Sequence, residues 1–184
     1  MTATTTMNGF YRACVKIYAP EPGIGEDATV FVPLFHEWIR ENKLDLVLLD
    51  VADYAHTPDS PGIMLISYEA SFSLDRSDGR FGLLTQRRTH FDGDSVAATA
   101  ETFRHALTVA AGLEADARLK GKLAFDRAAI RVESNDRLRA PNTDEGFAAF
   151  SEVVREAATS VLGRPVTVTR INNDPRDRLA VQVA

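Results

Sequence analysis

Four cations occupy matched places in two segments that read as β-strands. FYRACVKIYA, residues 10–19, carries Arg12 and Lys16; FDRAAIRVES, residues 125–134, carries Arg127 and Arg131. In an alternating strand all four point away from the aliphatic side set by Val15, Ile17, Ile130 and Val132. Two such pairs converging on a cleft would attract a carboxylate or a phosphate. The same pattern also suits a plain solvated sheet face. Tyr68 and Glu69, near the end of an apolar run, complete a candidate ligand-binding set of Arg12, Lys16, Tyr68, Glu69, Arg127 and Arg131. Glu69 falls on the side of Ile63, Leu65 and Ser67, where a lone carboxylate is costly. It is therefore expected to be less exposed than an average carboxylate and to pair with one of these four cations.

Other reactive side chains lack the spacing that chemistry would need. Asp50, Asp53, Tyr54, His56 and Asp59 crowd one strand and turn, and with His36 and Glu69 they include the donor types of a histidine and carboxylate metal site. Neither HExxH nor an EF-hand loop is present, and turn chemistry accounts for Asp59, Ser60, Pro61 and Gly62, so no metal is assigned. Cys14 shares the polar strand side with Arg12 and Lys16, whose charge would lower a thiol pKa, but no partner base accompanies it. G-x-S-x-G, the P-loop and G-x-G-x-x-G are all missing, and no catalytic residue or cofactor is assigned.

The elements that must position these side chains follow from periodicity. After the strand at 10–19 and a Pro/Gly loop, Phe31, Leu34, Phe35, Trp38 and Ile39 make one stripe of a helix running to about Asn42, with Asp27 or Thr29 as its cap and Pro33 confined to the first turn. VLLDVADY, 47–54, reads as a strand, 63–74 as one long alternating strand, and 81–88 as its hairpin partner across RSDGR. Asp94 or Ser95 opens a helix ending near Lys120, and a strand over 123–133 follows. Asn142 and Glu145 have capping-box spacing before a helix that stops at Gly163. Short strands at 166–171 and 178–183 close the chain.

A shift of 115 positions, Phe10 onto Phe125, superposes the two cation-bearing strands and, without a gap, LFHEWIRE on AFSEVVRE. Amphipathic phase explains the apolar matches; it does not require Arg12/Arg127 or Arg40/Arg155. The expected fold is therefore α+β: duplicated strand-helix-strand-strand units about a pseudo-twofold axis, with mainly antiparallel sheet and three main helices. Residues 1–9 form a polar tail, 10–94 a βαβββ half, 95–120 a connecting helix and 121–184 a βαββ half, in one structural unit.

At 184 residues, with 45% hydrophobic and 26% charged residues, the chain has the composition of a folding domain rather than a disordered one. No apolar run approaches the roughly 18 to 20 residues of a membrane span. MTATTTMNG has no basic or apolar signal region, and a single cysteine fits a reducing compartment, so a cytoplasmic location and no membrane partner are expected. A net charge of -5 opposes a phosphate backbone, so no nucleic acid is expected either.

DVADYAHTPDSPGIMLISYEASFSLD, together with VPLFHEWI, resembles the central signature of an uncharacterised family of bacterial proteins of unknown function. In architecture, two βαββ units resemble the gyrase-inhibitor-like superfamily, with its effector-binding and SOUL-type domains. That resemblance implies a small molecule held between halves, although the extra hairpin and the helix beginning at 95 depart from it. A glyoxalase-like duplication and a ferredoxin-like arrangement of the first 134 residues are further topologies; the former's metal chemistry would need a strand histidine that the second half lacks. The functional expectation is a module binding a small anionic or aromatic metabolite. The rival is a structural protein that forms a homodimer through a spare sheet face, and enzyme action ranks third.

Overall fold

The computed structural model describes residues 12–20, 28–57, 60–172 and 174–184. Strand β1 (Ala13–Tyr18) is followed by a 3-10 turn and helix α1 (Phe31–Glu41), then by four strands, β2 (Leu48–Asp53), β3 (Ile63–Ser67), β4 (Ala70–Asp75) and β5 (Gly82–Arg87). Helix α2 (Ser95–Ala115), strand β6 (Ile130–Ser134), helix α3 (Asp144–Leu162) and strands β7 (Val168–Arg170) and β8 (Ala180–Val183) complete it. The result is α+β: an eight-stranded antiparallel sheet in the order β2-β3-β4-β5-β1-β6-β8-β7, with three helices. None of the described helices is long and apolar enough to cross a membrane.

Each helix forms where the apolar stripe and the caps agree. In α1, Phe31, Leu34, Phe35 and Trp38 are buried, Pro33 sits in the first turn, and Asn42 closes the end in the left-handed region at φ 48°. Val30, not Thr29, precedes that helix, and Asp27 lies outside the described residues. Asp94 caps α2 by accepting from the Ala97 amide at 2.7 Å. The cap of α3 is Thr143, which accepts from Gly146, and not Asn142, whose side chain instead accepts from Arg170 at 2.8 Å.

All three helices pack on one face of the sheet. Ala13, Val15 and Ile17 of β1, Ile130 and Val132 of β6 and Val181 of β8 meet Phe103, Val109, Phe150 and Val154 there in a single core. Arg87 of β5 reaches Glu101 of α2, and Arg170 of β7 reaches Asp144 of α3, on the same side. No described helix covers the opposite face, which holds Cys14, Lys16 and Tyr18 of β1.

Three strand expectations change. The run 63–74 is two strands, because the chain reverses at Tyr68-Glu69. Ser67 Oγ accepts from the Ala70 amide and donates to its carbonyl, while the Tyr68 amide bonds Val47 of the β2 side and the Glu69 carbonyl accepts from Arg88 of the β5 side. Neither turn residue has positive φ, so the reversal needs no glycine or asparagine and leaves no turn signature. The strand expected at 123–133 begins only at Ile130, because Asp126 folds a turn onto the Ala128 amide and Glu114 takes the Phe125 amide. The closing strands are shorter than expected, at 168–170 and 180–183.

β1 and β6 lie side by side at the centre, Val15 opposite Val132, Lys16 opposite Arg131 and Ile17 opposite Ile130. This register is symmetric about the Lys16/Arg131 pair under the 115-residue shift. Outside it the halves differ: β8 sits directly beside β6, whereas β4 and β5 separate β3 from β1.

Candidate functional site

The face opposite the described helices carries a charged constellation, built around the central strands. Lys16 leaves β1 and crosses β5 to reach Asp75 on β4. The crossing is open because the residue beneath it is Gly82, paired with both Tyr18 and Asp75; a Cβ there would stand 3.0 Å from Lys16 Cε and 2.7 Å from the Ile17 carbonyl. Lys16 Nζ donates to Asp75 Oδ2 at 2.6 Å and to Asp78 Oδ1 at 2.5 Å. Both the lysine and Asp75 side chains are only 3% exposed.

Asp78 is the meeting point. The β4–β5 turn, closed by the Gly79 amide on the Arg76 carbonyl with Gly79 at φ 79°, carries it back over the sheet. Its Oδ2 accepts from the Tyr18 hydroxyl at 2.7 Å and lies 3.6 Å from Arg131 Nη1, while Arg131 Nε donates to Glu133 at 2.6 Å. The Arg80 guanidinium lies 3.6 Å from the centre of the Tyr18 ring. Beside this group is a hollow of about 380 Å³ lined by Tyr18, Pro20, Gly79, Arg80, Phe81 and Asp126.

Burial pushes the Asp78 carboxyl up, but hydrogen bonds from Lys16 and Tyr18 outweigh it and hold it below the usual carboxylate range. Burial and the bond to Asp78 push the Tyr18 phenol up to about 12. Burial lowers the Arg131 pKa, yet Glu133 more than offsets this and the guanidinium is held charged. At neutral pH the site therefore presents the Tyr18 phenol as a donor and the Arg131 guanidinium as a cation beside the ionised Asp78 carboxylate.

Of the sequence candidates, Lys16 and Arg131 come together, on directly opposed positions. Arg12, exposed, precedes β1, its carbonyl accepting from the Asn135 amide. Arg127 turns toward the helices and binds Glu114 near the end of α2 at 2.5 Å, because residues 125–128 do not continue the strand that would have aimed it at the face of Lys16. Tyr68 and Glu69 occupy the β3–β4 turn, Tyr68 being 60% exposed. Glu69 is half-buried, as expected, but its carboxylate meets Ser67 Oγ at 3.4 Å rather than any of the four cations: Lys16, Arg127 and Arg131 hold other carboxylates. It lies in a turn, not on an apolar strand face, so the cost that demanded a cation does not arise.

The minor candidates separate as well. His36 is exposed on α1, and Asp50, Asp53, Tyr54 and His56 are exposed along and after β2; Asp59 lies outside the described residues. Cys14 is 1% exposed, and its thiol is pushed up to about 12, by burial first and by Glu133 second, the opposite of the lowering that neighbouring cations could bring. It is not a nucleophile in the folded chain.

Asp75, Asp78, Arg80 and Glu133 did not stand out in the sequence. RSDGR signalled a turn, and that signal does not say that the turn folds over a strand two places away in the sheet. No family model matches this chain, and neither a curated protein nor a solved structure does.

Proposed function

We propose that the protein is a small-molecule binding module that takes an anionic or aromatic metabolite at the β1/β6 end of the sheet face opposite its described helices. The observation that carries this reading is the convergence of Lys16, Tyr18 and Arg131 on a single carboxylate beside the Arg80 hollow. Arg80 and Arg131 supply charge, and Tyr18 and Phe81 supply ring surface. The symmetric Lys16/Arg131 register supports the idea of two fused half-units sharing this site. Composition and charge support a cytoplasmic protein without nucleic-acid or membrane partners.

A thermal-shift screen of anionic and aromatic metabolites tests the reading. A ligand present at 100 times its Kd adds about 2.7 kcal/mol of stability. Arg131→Ala and Tyr18→Phe should each abolish the shift of any true ligand. Shifts that survive both substitutions would move the site elsewhere.

A second reading has its own observation: on the same face Met64, Ile66 and Leu84 are half-buried, and exposed Tyr68 lies beside exposed Val47 through the bond between their backbones. A homodimer would cover such a surface. Sedimentation of the wild type and of Tyr68→Arg decides: a dimer lost on substitution favours it, and a monomer in both rejects it.

A further inference from the structure

We propose that Asp78 is an internal stand-in for a ligand carboxylate, so that the β4–β5 turn occupies the protein's own binding site. This rests on the binding reading above and narrows the ligand to an aromatic carboxylate. Three donors from the two central strands meet on the Asp78 carboxylate: Lys16 at 2.5 Å, the Tyr18 hydroxyl at 2.7 Å and Arg131 at 3.6 Å.

None of them needs Asp78 for charge balance. Lys16 has Asp75 at 2.6 Å, and Arg131 has Glu133 at 2.5 Å. Asp78 is an additional acceptor on donors already neutralised, and it is delivered by a turn rather than a strand. Around it Arg76, Ser77, Gly79 and Arg80 are all exposed, while Asp75, at the root of the turn, is buried and independently fixed to Lys16. Ser77 donates its amide and its hydroxyl to Asp75 at 3.2 and 3.0 Å, so the outward swing would pivot beyond Ser77 and carry Asp78 away while Asp75 keeps its bonds. Lys16, Tyr18 and Arg131 would then offer their donors to a carboxylate from outside, and the hollow against Tyr18 and Phe81 would take its ring.

Benzoate is the probe. Its affinity is measured by calorimetric titration for the wild type, Asp78→Ala and Asp78→Asn, against chloride at equal ionic strength, with circular dichroism confirming each fold. Asp78→Ala should bind benzoate at least tenfold more tightly than the wild type, and Asp78→Asn should shift in the same direction by less, which preserves the test if the alanine variant unfolds. Adding Tyr18→Phe to Asp78→Ala should remove most of the gain; a gain left intact would place benzoate elsewhere and overturn the proposal. Equal binding by the wild type and both variants overturns the stand-in role while leaving the binding reading standing. No benzoate binding by any of the three overturns the ligand class, and the wider screen then judges the binding reading separately.

Discussion

Lys16 is almost fully removed from water and lies between two carboxylates, of which only Asp75 is equally buried. A buried pair contributes little net stability, but breaking one side strands the other. Asp75→Ala should therefore destabilise by about 3 kcal/mol, the low end of the usual range because Asp78 still faces the lysine. The double change Lys16→Met with Asp75→Leu should recover most of that loss; chemical denaturation of the three proteins measures it. His105 on α2 shows the opposite case. Burial lowers its pKa below the ordinary 6.5, against the pull of Glu101 and Glu69 and with the push of Arg87 and Arg104, and its buried Nδ1 has no hydrogen-bond partner among the described residues. The unfolded chain then binds the proton more readily than the folded one. His105 therefore costs stability as pH falls through about 6.5, and nothing above it. Urea unfolding between pH 5 and 8 should show this loss in the wild type and a flatter profile in His105→Gln. An unchanged profile would refute the assignment.

At the scale of elements, the positions of the side chains depend on what the strands omit. Gly82 is needed for the space above it and not for its φ: only a residue without Cβ lets Lys16 cross β5. Gly82→Ala should cost about 1 to 3 kcal/mol, as overpacking does, and should weaken ligand binding by displacing Lys16 from Asp75. Denaturant midpoints and ligand titration read the two effects separately; full retention of both would show that the crossing tolerates a methyl group. The outer strand β2 illustrates another omission. Asp50 and Asp53 take the Val51 and Ala55 amides onto their own carboxylates, and a register shift between Leu48 and Asp50 bends the strand, so its free edge is poorly suited to pairing with another chain. Any self-association is thus expected through the sheet face rather than through this edge.

Across the whole molecule, periodicity made the fold class legible, because helix stripes such as Phe31-Leu34-Phe35-Trp38 and alternation such as Val15-Ile17 are imposed by the same core that they build. The reversal at Tyr68-Glu69 was hidden, since neighbouring strands, not turn residues, hold it. The site was half legible. Lys16 and Arg131 are visible as equivalent positions of two similar segments, whereas Asp75 and Asp78 join them only through the sheet order, which places β5 between β4 and β1. Arg127 was misplaced because a local turn, not strand alternation, sets its direction.

The central pairing of β1 with β6 also sets an order of events. β2 to β5 are successive hairpins and can pair as soon as each turn forms, but β1 must wait for a partner 115 residues further along the chain. Long-range closure of this kind slows folding. During synthesis β1 would therefore spend a period with one unpaired side, carrying Cys14, Val15 and Ile17. A nascent chain halted before Ile130 is the form in which this protein would be most exposed to aggregation and most dependent on chaperones.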